Sequence, residues 1–140
     1  DSEVHDGMEM ALCRISIKEK KFEYSGAGMP LMIMKKKGDL NELKADFFSL
    51  GGFHFKKDFK YATQQYSYDE GDRIYMFSDG IPDQFNENDE KFGLTRLRKN
   101  IVSNYSKSAT EQEKSFGAEL DSWKKSARQL DDMMLAGVAL

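Results

Sequence analysis

Hydrophobic and polar positions alternate along the first half of the chain and recur at helical spacing along the second. The alternation predicts strands over residues 7–17, 22–25 and 31–34, with polar connections at 18–21 and 35–39. Lys36, Lys37, Gly38 and Asp39 suit a hairpin turn, because glycine accepts positive φ and aspartate bonds its own backbone, so antiparallel pairing follows. A further strand is expected between 59 and 68, where Tyr61, Thr63, Gln65 and Ser67 share one face and Ala62, Gln64, Tyr66 and Tyr68 the other. Beyond Glu70, Gly71 and Asp72 comes 73–77, whose consecutive apolar residues Ile74, Tyr75, Met76 and Phe77 predict a strand covered on both faces, in the middle of a sheet.

Leu94, Leu97, Ile101 and Tyr105 define one amphipathic helix, and Phe116, Leu120, Trp123, Ala127 and Leu130 a second. Thr110 and Glu113 have capping-box spacing, which places the start of the second helix near 109–111. Leu120 and Trp123 share its apolar face and are expected to pack on a sheet, while 133–140 forms a last apolar strand. No repeat, low-complexity tract or linker interrupts the 140 residues, which read as one domain.

Charge changes this picture little but excludes some partners. The 21 basic and 24 acidic residues are mixed along the chain and leave a net charge of −3, so no cationic stripe suits a nucleic-acid backbone. The longest apolar runs fall far short of the roughly 20 residues that span a bilayer. Cys13 is a single cysteine without a partner for a disulfide, which points to a reducing, cytoplasmic compartment and reads as a small core residue. His5 and His54 are too isolated for a zinc site, and Lys35, Lys36 and Lys37 read as a solvated hairpin.

Two segments carry candidate chemistry. In Phe77, Ser78, Asp79, Gly80, Ile81 a carboxylate stands where a buried strand ends and glycine permits a sharp turn; alone, the motif is equally a capped turn. In Leu130, Asp131, Asp132, Met133 two adjacent carboxylates precede an apolar strand; alone, the pair is a solvated helix-to-strand turn. Adjacent carboxylates repel unless they are solvated or a cation lies among them, and hard oxygen donors of this kind favour magnesium, manganese or calcium over zinc.

In combination the motifs resemble the PP2C-like serine/threonine phosphatases of the SpoIIE and sigma-regulator (RsbU-like) type. Asp6, Gly7, Met8, Glu9, Met10, Ala11, Leu12 is similar to that group's Asp-Gly-Met-Asp-x-Ala-Leu strand, and Tyr24, Ser25, Gly26, Ala27 with Pro30 and Leu31 to its Gly-Ala-Asn-x-Pro-Leu hairpin. Leu50, Gly51 and Gly52 match its small-residue loop, Gly71, Asp72 and 74–80 its Gly-Asp, strand, Ser-Asp-Gly series, and Asp131 and Asp132 its last acidic pair. Gly28 and Met29 depart from the pattern, where the group has Asn and a variable residue, and the common proline before Leu50 is absent.

The resemblance implies an α+β fold, the PP2C-like αββα sandwich of two antiparallel sheets flanked by helices, with 1–140 as its C-terminal portion and the N-terminal part missing. It implies hydrolysis of phosphoserine or phosphothreonine by a metal-activated water at a two-metal site of Mn²⁺ or Mg²⁺. Asp79 would be a ligand, with Asp131 favoured over Asp132 as the other. The substrate would be a phosphoserine-bearing regulatory protein, such as an antagonist of an anti-sigma factor in bacterial signalling. The group's first acidic motif has no counterpart before Asp6, so an incomplete active site is expected; a sheet edge left open there would favour a homodimer. The alternative is a non-catalytic regulatory or interaction module on the same fold.

Overall fold

A computed structural model describes residues 6–52 and 58–140. The strands are β1 (Gly7–Met8), β2 (Met10–Ser16), β3 (Lys21–Ala27), β4 (Leu31–Met34), β5 (Leu40–Leu43), β6 (Leu50–Gly51), β7 (Gln64–Ser67), β8 (Arg73–Phe77) and β9 (Leu135–Ala139); the helices α1 (Gly93–Asn104) and α2 (Ala109–Lys124) lie between β8 and β9. One sheet has the order β2-β3-β7 and the other β5-β4-β8-β9, while β1 and β6 make a short separate pair. All these named strands pair antiparallel. The hairpin at 35–39 joins β4 to β5 as its turn chemistry requires, with Gly38 at φ 106°.

Two cores explain the layering. Side chains alternate across a strand, so β4 sends Met32 and Met34 to one side and Leu31 and Ile33 to the other, and all four are buried. Met32, Met34, Tyr75 and Phe77 join Leu97 and Ile101 of α1 and Leu120 of α2 in a core between helices and sheet. Leu31, Ile33 and Ile74 join Phe22 and Tyr24 of β3 in a second core between the two sheets. The four-stranded sheet is therefore covered on both faces, which is why β8 reads as a continuous apolar run. Cys13 lies on the inward side of β2, half-buried against the second core, where burial pushes its thiol pKa up.

Several boundaries differ from the sequence reading. The first strand is broken at Glu9 into β1 and β2, and the strand expected over 59–68 is confined to β7. The capping box at α2 is formed by Ser108 and Glu111, not by Thr110 and Glu113: the Ser108 Oγ accepts from the Glu111 backbone N–H, and the Glu111 carboxylate accepts from the Ser108 backbone N–H. Both pairs have the right spacing, and Ser108 wins because it holds the extended backbone that a cap requires, with φ −63° and ψ 158°.

The same helix ends at Lys124, short of Ala127 and Leu130. Buried Gln84 donates from its Nε2 to the carbonyls of Phe85 and Arg128, which fixes the chain after the helix onto the preceding loop and leaves Leu130 66% exposed. Lys35 is not a solvated hairpin residue: it is paired with Asp72, whose side chain is only 1% exposed. His5 and His54 lie outside the described residues. Among the described residues no helix is long and apolar enough to cross a membrane.

Trp123 sits on the helix layer and is half-buried, with its ring edge on Phe92 at 6.1 Å, the Arg96 guanidinium 4.0 Å from its centroid, and its Nε1–H donating to the Gln84 carbonyl at 3.3 Å. Leu120 is buried within the core between helices and sheet, and Trp123 packs against that same core from its edge. A fully buried aromatic truncated to alanine costs about 3–5 kcal/mol, so half-buried Trp123→Ala is expected to cost about 2–3 kcal/mol. Chemical denaturation measures this directly, and a loss below about 1 kcal/mol would show that the Phe92 and Arg96 contacts contribute little.

Candidate metal centre

β8 and β9 run antiparallel with Phe77 opposite Leu135, so the segment leaving β8 lies beside the segment entering β9. Ser78 joins them three times. Its backbone N–H donates to the Met134 carbonyl at 3.0 Å, its Oγ–H donates to the Asp132 carbonyl at 2.7 Å, and its Oγ accepts from the Met134 N–H at 2.8 Å. Asp79 and the Asp131–Asp132 pair, far apart in sequence, are thereby brought to the same end of the sheet.

Gly80 is required by this approach. A Cβ there would stand 2.4 Å from the Asp132 carbonyl oxygen, which is backbone and has no rotamer to yield. The turn itself is closed by Asp83, whose N–H donates to the Asp79 carbonyl at 2.9 Å. On the opposing segment the Asp131 Oδ1 accepts from the Asp132 N–H at 2.7 Å and the Asp131 carbonyl accepts from Gln129 Nε2 at 2.8 Å, so the acidic pair is braced on both sides. All three aspartates are exposed to solvent.

Asp79 also lines a groove of ≈ 280 Å³ with Glu9, Gly28, Pro30, Asp83 and Lys91 among its walls. The Lys91 ammonium is paired with Asp83 at 2.9 Å. Gly28, at φ 76°, makes room for the Glu9 side chain: a Cβ would meet the Glu9 carboxyl carbon at 2.8 Å. This contact was not readable from the sequence, although the departure from Asn at position 28 marked the place. A larger hollow of ≈ 660 Å³ beside Phe85, Glu87 and Arg128 includes none of the three aspartates.

The donor chemistry fits a hard divalent cation, since Asp79, Asp131 and Asp132 offer only carboxylate oxygens. Among the described residues, however, no three acidic, histidine or cysteine side chains converge closely enough to hold a metal ion by themselves. The aspartates thus fit as part of a ligand set and need donors from elsewhere to complete it.

The sequence profile described as "Stage II sporulation protein E (SpoIIE)" matches residues 1–139. The chain belongs to the SpoIIE family. No curated protein matches it. Among solved structures, this SpoIIE-family chain is similar to the SiaA-PP2C domain of Pseudomonas aeruginosa, with a TM-score of 0.88 and 22% identity over 99% of this chain and 54% of that one. It is also similar to the phosphatase domain of SpoIIE from Bacillus subtilis presoaked with Mn, with a TM-score of 0.67 and 20% identity over 94% of this chain and 56% of that one. A third likeness is to RsbX in complex with magnesium, with a TM-score of 0.64 and 17% identity over 94% and 55% of the two chains. These likenesses show the PP2C fold, of α+β class. The chain spans about half the length of the structures it matches. Its two helices cover one face of the paired sheets, as the C-terminal portion of the αββα sandwich should.

Proposed function

We propose that this SpoIIE-family chain supplies the C-terminal ligand half of a metal-dependent protein serine/threonine phosphatase site. The observation that carries the reading is the Ser78 bridge, which ties the Asp79 turn to the Asp131–Asp132 segment with fixed backbone geometry. Asp79 and Asp131 would hold Mn²⁺ or Mg²⁺, with Asp132 the second choice of the pair. Asp131 keeps Oδ2 for a cation while Oδ1 braces the turn. When bound, such an ion supplies an acidic water and neutralises phosphoryl charge. The chain's own part is to hold Asp79 on the wall of its groove, where a phosphoserine side chain can enter, with the Asp131–Asp132 segment tied beside the Asp79 turn through Ser78.

The magnesium and manganese named for RsbX and SpoIIE support the choice of ion. A phosphoserine-bearing regulatory protein in bacterial cytoplasmic signalling is the substrate class; among the similar structures are a bacterial stressosome protein and the RsbU and RsbW domains of Rv1364c from Mycobacterium tuberculosis. A second reading, a regulatory module without catalysis, is favoured by one observation: the described carboxylates do not complete a metal site.

The two readings separate in one experiment on this chain and on a form extended upstream. Phosphate release from a phosphoserine peptide is followed with Mn²⁺ and with chelator, and bound Mn²⁺ by its paramagnetic resonance spectrum. The phosphatase reading expects Mn²⁺-dependent release from the extended form and little from the 140 residues alone. Peptide binding without release from either form would establish the interaction module instead.

A further inference from the structure

Lys91 stands in the Asp79 groove and can hold no metal there, because an ammonium offers only donors. The chain gives it little freedom. Phe85 and Lys91 face each other across a short antiparallel bridge, and beside it the Phe92 N–H donates to the Gln84 carbonyl and the Gly93 N–H to the Pro82 carbonyl, each at 2.8 Å. The ammonium lies 2.9 Å from the Asp83 carboxylate and 5.7 Å from the centroid of the Phe85 ring. Asp83 in turn donates its backbone N–H to the Asp79 carbonyl, so the residue that holds this cation belongs to the same turn as Asp79.

Charge decides what such a cation does. Among the described residues lining the groove, Glu9, Asp79 and Asp83 are acidic, and Lys91 alone is basic. A phosphoserine side chain brings a further charge of about −1.5 to −2, which a purely acidic wall would repel. A divalent ion at Asp79 offsets part of that repulsion, and Lys91 is the chain's own offset. Of its three N–H donors Asp83 takes one, which leaves the others for phosphoryl oxygens. Both partners of the pair keep more than half of their side-chain surface exposed, so a ligand reaches the ammonium without breaking a buried contact. Gly93 and Leu94 line the same groove at the start of α1, whose first turn has no acidic residue and no side-chain cap. The helix dipole therefore adds positive potential beside Lys91.

On the phosphatase reading of this groove, on which the assignment rests, we propose that Lys91 binds the phosphoryl oxygens of the substrate and that Asp83 is the positioning residue that aims it. A group that holds the phosphoryl oxygens alike before and during the reaction lowers KM and leaves kcat nearly as it was.

Turnover of the form extended upstream is measured with Mn²⁺ and a phosphoserine peptide, and calorimetry follows its binding of inorganic phosphate in Mg²⁺. Lys91→Gln should raise both KM and the phosphate Kd about tenfold or more, as loss of a hydrogen bond between charged groups requires, while kcat changes by less than about threefold. Lys91→Arg keeps the charge and should recover most of the loss. Asp83→Asn leaves Lys91 in place without its carboxylate and should fall between the natural chain and Lys91→Gln. The Mn²⁺ resonance and the melting temperature should be the same in all three variants. Unchanged KM and phosphate Kd in Lys91→Gln, a loss confined to kcat, or a loss that comes with a lost Mn²⁺ resonance would overturn the proposal. If the natural extended form releases no phosphate, the phosphatase reading falls, and the phosphate Kd of Lys91→Gln still decides whether Lys91 is the phosphate contact.

Discussion

Replacing Asp79 with asparagine in the complete phosphatase domain is expected to lower Mn²⁺-dependent phosphoserine hydrolysis by about a hundredfold or more, since loss even of groups that only orient a metal ligand costs about 10–100-fold. Asparagine keeps the shape of the side chain and a carbonyl acceptor but removes the charge that a hard cation requires. Folding should be unaffected. Asp79 is exposed, and the bonds that shape its turn run through its backbone carbonyl and through Ser78. Equal melting temperatures with lost turnover and lost Mn²⁺ resonance would locate the effect at the ion, whereas unchanged turnover would remove Asp79 from the site.

The second large effect is on stability. The Asp72 carboxylate is buried at the start of β8, where it accepts from the Lys36 N–H at 2.9 Å, the Asp69 N–H at 3.0 Å and the Lys35 ammonium. Its own carbonyl accepts from the Leu140 N–H, so this residue also anchors the far end of β9. Asp72→Ala leaves two backbone donors and a lysine without their acceptor, at about 1–3 kcal/mol for each group that stays buried, and is expected to cost about 2–4 kcal/mol.

The pH dependence has a definite sign. Burial alone pushes the Asp72 pKa up, but the Lys35 hydrogen bond, the two backbone donors and the Lys35 charge together hold it below the ordinary carboxylate value. The folded state therefore binds this proton less readily than the unfolded chain. The stabilisation is fully present above the unfolded value of about 4 and is lost as pH falls through the lower folded value. Urea midpoints measured from neutral pH down to pH values below 4 should fall more steeply for the natural chain than for Asp72→Asn. Parallel curves would show that another carboxylate governs acid unfolding.

Much of this was legible in the sequence because local chemistry and global packing agree. β4 and β8 were readable to the residue, since a strand covered on both faces reads as an unbroken apolar run, Leu31–Met34 in one and Ile74 to Phe77 after Arg73 in the other. The resemblance and two acidic motifs flanking apolar strands pointed to Asp79, Asp131 and Asp132, and the β8–β9 register brings their two segments to one end of the sheet, although the three side chains do not by themselves converge into a metal site. What escaped depends on contacts that spacing cannot encode. Thr110 with Glu113 and Ser108 with Glu111 are equivalent as patterns, and only the extended backbone at Ser108 distinguishes them. Ala127 and Leu130 continue the apolar period of α2, yet the Gln84 side chain takes the Arg128 carbonyl and draws the chain off the helix axis. The hydroxyl of Ser78 gave no signal of its own, because a serine before Asp-Gly is also an ordinary turn residue.

The Ser78 bridge also fixes where the chain can gain or lose residues. Strand side chains alternate with a period of two, so a one-residue insertion between Asp132 and Leu135 would turn Leu135 away from the helix core and move the Asp132 carbonyl off Ser78. The tether would have to break or the sheet slip. The turn between α1 and α2 is tied instead by Gln112, which donates to the Tyr105 and Lys107 carbonyls; losing those bonds shifts no strand register, and extra length in a surface loop adds only a slowly growing closure entropy. Divergence in length should therefore gather between the helices, while the spacing from the acidic pair to the last strand stays constant.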